Sequence, residues 1–183
     1  MNLKQRNSVM GNYQRLDVSF VKGDRIYLFD DKGRKYLDAL SGIAVCGLGH
    51  AHPELVKLLV GQAKDLWHTS NLYRIEHQET LAKALTDSAR MDSVFFCNSG
   101  AEANETAIKL CRKFGFENRI KNPTIITMKG SFHGRTMATL SATGNEKVHH
   151  GFSPLLSGFK HVEFGNTEVL KNHLCNPDVV ALM

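Results

Sequence analysis

The residues best suited to chemistry lie in the stretch 96–105, which reads FCNSGAEANE. The apolar run Val94-Phe95-Phe96 predicts a short strand before it, and residues 102–114 predict a helix after it. This order directs the backbone N–H groups of Ser99, Gly100 and Ala101 out of a helix N-terminus. Unpaired N–H groups and the helix dipole favour an anion there, typically a phosphate. A glycine in such a turn lets a ligand approach the backbone closely.

The same stretch has a second interpretation that needs no ligand. Ser99 and Glu102 have the spacing of a capping box, in which each side chain satisfies a backbone N–H at the start of the helix. Spacing alone therefore leaves two alternatives open, phosphate binding and simple helix capping.

The elements that must position this turn alternate between strands and helices. Residues 16–38 predict a small antiparallel meander, with Asp31-Lys32-Gly33 as a tight turn. Strands separated by helices imply βαβ units and a largely parallel sheet, so the fold class is α/β. The later predicted elements are a helix from Pro53 with one apolar stripe of Leu55, Leu58, Leu59 and Leu66, a helix through Leu81 and Leu85, strands at 124–128 and 161–164, a helix near 167–174 and a terminal strand at 179–183.

Composition excludes several classes of protein. The chain has 183 residues and a net charge of +5, without a Lys/Arg cluster dense enough to predict nucleic-acid binding. No apolar run approaches the length of a membrane span, and no secretory signal precedes the four scattered cysteines. Free thiols in a reducing cytoplasm are therefore expected.

Two histidine pairs and one glycine pair do not form a metal-binding or dinucleotide-binding motif. His50 and His52, like His149 and His150, have no acidic residue or cysteine at zinc-like spacing, so no metal site is predicted. Gly47-Leu48-Gly49 does not complete a dinucleotide fingerprint. The chain ends on an apolar strand pattern, and we expect it to be the N-terminal portion of a longer protein.

Several strings, in order and at matching spacing, carry a family resemblance over residues 13–183. They are YQRLDV at 13–18, GRKYLD at 33–38, SGIAV at 41–45, LGHAHP at 48–53, HTSNLY at 68–73, the stretch 96–105 and SFHGRT at 131–136. Together they resemble the class III aminotransferases, pyridoxal-phosphate enzymes of fold type I. The resemblance implies a small meander arm at 1–50 and the first part of the large cofactor domain at 51–183.

The resemblance assigns roles to individual residues. It places Ser99, Gly100 and Ala101 on the cofactor phosphate and Phe132 against the pyridine ring, for which a flat aromatic face is suited. Arg135 matches the arginine that holds a substrate carboxylate, a contact that suits a planar guanidinium. His133 is a neighbour of the cofactor. Without the family, core packing of Phe132 and a solvated Arg135 remain the alternatives.

The resemblance also implies a reaction and a partner. Within the family, the chain is most similar to enzymes that move an amino group from N-acetylornithine to 2-oxoglutarate in arginine biosynthesis. The Schiff-base lysine lies beyond Met183 in that family, so no catalytic residue is expected in this chain. The family is homodimeric, and residues 67–73 lie where the partner subunit approaches.

Two alternatives to this function stay open. One is another class III ω-aminotransferase, acting on ornithine, succinylornithine or 4-aminobutyrate. The other is a non-catalytic fragment that binds phosphate or dimerises.

Overall fold

The computed structural model describes residues 8–183, and residues 1–7 with the polar start of the chain lie outside the described part. The chain divides into two compact units, residues 1–76 and 77–183.

The first unit contains the predicted meander. Its strands β1 (Phe20–Asp24), β2 (Tyr27–Asp30) and β3 (Lys35–Leu37) form one antiparallel sheet in the order β1-β2-β3. The glycine of the Asp31-Lys32-Gly33 turn has a positive φ of 75°, a conformation that glycine adopts without steric cost. The predicted strands and turn are therefore confirmed.

A buried carboxylate closes the β2–β3 turn. Asp30 accepts hydrogen bonds from the backbone N–H groups of Lys32 and Arg34, at 3.0 and 2.8 Å, and from Arg34 Nε at 2.7 Å. The Tyr36 hydroxyl donates a fourth, at 3.1 Å. Burial raises the pKa of Asp30, but the four hydrogen bonds outweigh burial and lower the pKa to about 2.

A short irregular helix and one regular helix complete the unit. The turn α1 (Ser41–Ala44) has positive φ at all four residues, so its backbone is left-handed. The helix α2 (Pro53–Asp65) begins at the predicted proline. Its leucines Leu55, Leu58 and Leu59 are 48–69% exposed, and Leu66 lies just past its end. The predicted stripe is therefore present, but within the described residues it is not buried.

The second unit is built around a parallel sheet. Strand β4 (Thr124–Met128) lies between β5 (Phe159–Val162) and β6 (Val179–Leu182) and pairs with both in parallel. The core cluster of Ile108, Ile125 and Ala142 comes from two helices and the central strand. The helices of this part are α3 (Glu76–Ala89), α4 (Gly100–Glu117), α5 (Met137–Ala142), α6 (Glu146–His149) and α7 (Thr167–Leu174).

Three sequence expectations for this unit need correction. Val94-Phe95-Phe96 is not a strand, since no described strand pairs with it and Phe95 is 68% exposed. The strand expected at 161–164 is β5 and begins two residues earlier, because Phe159 pairs with Ile125 of the central strand. Helices α5 and α6 were not predicted. None of the helices in residues 8–183 combines the length and apolarity that crossing a membrane requires.

Candidate cofactor and carboxylate site

The turn before α4 forms the serine cap that its sequence predicts, but Glu102 reaches back to Asn98 instead of to the Ser99 N–H of a regular capping box. Ser99 is extended, with φ −156° and ψ 161°, and its Oγ accepts a hydrogen bond from the Glu102 backbone N–H at 3.2 Å. In return, Glu102 Oε2 accepts hydrogen bonds from the backbone N–H and the side-chain amide of Asn98, at 2.6 and 3.1 Å. The capping alternative is thus confirmed as a structural feature.

Capping does not use every donor at this helix end. The described structure gives no hydrogen-bond partner to the backbone N–H groups of Gly100 and Ala101, and a Cβ added at Gly100 would meet no atom within 4 Å. The Ser99 hydroxyl accepts a hydrogen bond but keeps its own proton for donation. Open space, three donors and the positive end of a helix of 18 residues are what an anion requires.

The loop that carries Phe132 and Arg135 follows the carboxyl end of β4. Polar groups fix it on two sides, because Thr143 Oγ1 accepts a hydrogen bond from the His133 backbone N–H at 2.9 Å and the Asn104 side-chain amide donates to the His133 carbonyl at 2.8 Å. The Thr136 hydroxyl also donates to Glu105. Since Asn104 and Glu105 belong to α4, these bonds attach the loop to the first turns of that helix.

A glycine allows the loop to lie close to the start of α4. Gly134 has φ 139°, and a Cβ added to it would lie 2.5 Å from Thr139 Oγ1 and 3.0 Å from the Ala101 Cβ. No side chain fits there. The loop and the phosphate-binding candidates are therefore neighbours in the same unit.

Phe132 and Arg135 are both exposed and line one cavity. The Phe132 side chain is 66% exposed, so the core-packing alternative for this residue does not describe it. The Arg135 guanidinium carbon lies 6.0 Å from the centre of the Phe132 ring. Both residues line a cavity of about 520 Å³ whose other walls include Met137, Leu140 and Phe152. Apolar walls with a cation beside an aromatic face suit a ligand with a carboxylate.

His133 lies on the inner side of the loop. Burial lowers its pKa, and the neighbouring His161 lowers it further, so the imidazole is neutral at neutral pH. The family resemblance predicts this residue only as a neighbour of the cofactor. The supporting residues Asn104, Glu105 and Thr143 were not identified, because nothing in the sequence shows that they contact the loop, with Asn104 29 residues and Thr143 10 residues from His133.

The geometry fits a flat aromatic group that carries a phosphate. Ser99, Gly100 and Ala101 offer donors to the phosphate, and Phe132 offers a ring face, within one connected arrangement. Among residues 8–183, no group of three or more His, Cys, Asp or Glu side chains is placed to hold a metal ion.

Comparison with known proteins is consistent with this geometry. The model of the family Aminotransferase class-III matches residues 9–181. Acetylornithine aminotransferase of Nitrosomonas europaea is 56% identical over 176 residues, which cover 96% of this chain and 45% of that protein. The chain therefore spans less than half the length of this curated relative.

Solved structures give the same fold. Ornithine aminotransferase from Toxoplasma gondii superposes with a TM-score of 0.91 at 27% identity, over 97% of this chain and 42% of that one. Taurine:2-oxoglutarate aminotransferase from Bifidobacterium kashiwanohense, solved in complex with PLP and glutamate, superposes with a TM-score of 0.85 at 28% identity. That match covers 96% of this chain and 45% of the other. The fold is thus that of the fold type I PLP transferases, as the sequence predicts.

Proposed function

The chain belongs to the class III aminotransferase family, and from that premise we propose that it is part of a pyridoxal-phosphate-dependent aminotransferase. The proposed reaction moves an amino group from N-acetylornithine to 2-oxoglutarate, in arginine biosynthesis. The identity to the acetylornithine aminotransferase of Nitrosomonas europaea supports this choice of amino donor. The observation that carries the proposal is the attachment of the exposed Phe132 and Arg135 to the open N-terminus of α4.

Three residues would hold the phosphate of the cofactor. The backbone N–H groups of Gly100 and Ala101 and the hydroxyl of Ser99 would donate hydrogen bonds to it, and the dipole of α4 adds to their attraction. The exposed face of Phe132 would pack against the pyridine ring. When bound, the cofactor supplies an electron-withdrawing ring that eases proton loss from the amino donor.

Arg135 would hold the substrate. Its guanidinium lies beside the Phe132 ring and lines the same apolar cavity, so a carboxylate bound there would lie close to the cofactor ring. Two parallel hydrogen bonds to one carboxylate fix the orientation of the substrate as well as its position. Both the amino donor and the 2-oxo acid carry such a carboxylate.

The proposed function includes a domain organisation, a cellular location and a partner subunit. The segment 1–50 would serve as an arm and 51–183 as the first part of the cofactor domain of a cytoplasmic homodimer. The exposed Trp67 and Tyr73 support a partner contact at residues 67–73, because aromatic side chains are enriched at interfaces. We propose that the 183-residue polypeptide has no turnover alone, since none of its lysines matches the Schiff-base lysine of the family.

A carboxylate placed in the phosphate position tests the cofactor site. In Gly100→Asp the new side chain enters open space at the first position of α4, where an acidic residue favours the helix. We expect unchanged or slightly higher stability and a loss of affinity for pyridoxamine phosphate of about tenfold or more, the effect of about 1.4 kcal/mol. Fluorescence titration of the chain gives the affinity, and thermal unfolding gives the stability.

The matched control is Thr167→Asp, which places a carboxylate at the first position of α7 instead. It should leave the affinity for pyridoxamine phosphate unchanged. Equal affinity of wild type and Gly100→Asp would refute the phosphate assignment and leave helix capping as the only role of this turn. Pyridoxamine without its phosphate should bind weakly to every variant.

A further inference from the structure

Three buried polar atoms around the loop 131–135 have no hydrogen-bond partner within the described residues: His133 Nε2, His161 Nε2 and Thr127 Oγ1. Thr127 is fully buried in the central strand, and its register partner in β5 is His161. Residues paired in this way in parallel strands direct their side chains to the same face of the sheet. His133 reaches this region from the loop that follows β4. Unpartnered buried polar atoms are uncommon in native proteins, so three of them near one loop require a physical explanation.

A third imidazole adjoins this group. The ring centres of His149 and His161 are 6.1 Å apart, and His149 Nε2 donates a hydrogen bond to the Leu140 carbonyl at 3.0 Å. We call His133, His149 and His161 the imidazole cluster. It joins β5, α6 and the loop 131–135 with no carboxylate among its members.

The backbone of the same loop residue is fixed from both sides. The His133 N–H donates to Thr143, at the end of α5, and its carbonyl accepts from Asn104 of α4. Phe132 and Arg135, one and two residues away, are exposed. The His133 imidazole is thus the inward-facing side chain of a loop that presents two residues to the cavity.

A proton on this imidazole would be unfavourable. Burial disfavours the charged ring, and so does His161, while no carboxylate contributes to the pKa of His133. The charged and titratable groups of the elements packed around it include Lys160, His161 and Glu163 on and after β5, Lys129 after β4, Glu102, Glu105 and Lys109 in the first half of α4, Glu146, Lys147 and His149 of α6, and Arg135 of the loop itself. Lys129 is paired with Glu163, Glu105 accepts from Thr136, and none of Glu105, Glu146 and Glu163 contributes to the pKa of His133.

We propose that His133 is a positioning residue whose neutral imidazole, directed inward beside His161, fixes the loop that presents Phe132 and Arg135, and that protonation of His133 releases this loop. The chemical roles of Phe132 and Arg135 rest on the proposed function. The positioning of the loop does not, and it is tested without any ligand.

The test measures the chain itself by NMR between pH 7.5 and 5.5. The His133 ring should titrate below the ordinary histidine range. The amide exchange of Gly134 and Arg135, corrected for intrinsic rates, should rise by up to about tenfold per pH unit below about pH 6.5, because each opening takes up one proton. His133→Asn should keep the loop closed over the whole range, since asparagine is polar and stays neutral at every pH of the titration. His133→Lys should show fast exchange at every pH.

The control is His150→Asn, which removes an exposed histidine beside the cluster and should behave as the wild type. An ordinary titration of His133 with pH-independent exchange would overturn the proposal. An equal rise in amide exchange at low pH in His133→Asn would also overturn the proposal, since another titrating group would then be responsible. If the position 133 variants do not fold, the wild-type titration and exchange decide the question. Failure of the pyridoxamine phosphate test leaves these outcomes unaffected.

Discussion

Replacing Gly134 by alanine is the sharpest test of how the site is assembled. Gly134 combines a positive φ of 139° with a close approach to Thr139 and Ala101. The added methyl group would therefore meet two obstacles, a backbone conformation that L-residues rarely adopt and atoms already occupying its place. Because Ala101 belongs to the turn that we propose binds the phosphate, the displacement would separate the loop from that turn.

The expected magnitude follows from these two obstacles. An L-residue in a sparsely populated conformation costs about 1–3 kcal/mol, and overpacking costs about 1–3 kcal/mol more. Gly134→Ala should thus lower the free energy of unfolding by about 2–6 kcal/mol, a large part of the roughly 5–15 kcal/mol of a typical domain. Two glycines of the same unit separate the contributions. A Cβ at Gly130, with φ 78°, meets nothing within 4 Å, whereas a Cβ at Gly144 would lie 2.0 Å from the Met128 carbonyl oxygen without a positive φ.

Denaturant unfolding of the three alanine variants gives the comparison. Gly130→Ala should lose only about 1–2 kcal/mol, the cost of a left-handed residue. Gly134→Ala should lose more than Gly130→Ala and should also lose affinity for pyridoxamine phosphate. Gly144→Ala should be destabilised by overlap alone. A Gly134→Ala variant no less stable than Gly130→Ala would refute the close approach of the loop to α4.

Three further predictions concern the rest of the chain. The lowered pKa of Asp30 means that its stabilising effect is complete above about pH 4 and is lost as the pH falls towards 2, so Asp30→Asn should flatten the stability profile in that window of acid unfolding. In the full-length enzyme, Arg135→Lys should lower kcat/KM for the amino donor by the equivalent of about 1.5–3 kcal/mol without altering cofactor absorbance, and unchanged efficiency would return Arg135 to a solvated role. Light scattering across a concentration series should show self-association of the chain that Tyr73→Glu reduces, and a wild-type monomer at high concentration would contradict it.

Local patterns were enough for much of the fold and for the candidate residues. The meander, the start of α2 at Pro53 and the Ser99 cap of α4 depend on neighbours within a few residues, so their sequences predict them directly. The family resemblance supplied Phe132 and Arg135, which no local pattern distinguishes from an ordinary phenylalanine and arginine.

Long-range pairing decided what these patterns could not. Val94-Phe95-Phe96 has a strand composition but no described strand beside it, and β5 begins at Phe159 because that residue pairs with Ile125. The attachment of the loop to α4 depends on Asn104 and His133, which are 29 residues apart. The imidazole cluster likewise exists only because the sheet and α6 bring its members together.

The sequence by itself determined the local elements and the donors at the start of α4, since these follow from short-range backbone chemistry. Only the tertiary structure decided which of these elements meet, because contacts between distant residues depend on the packing of the whole unit.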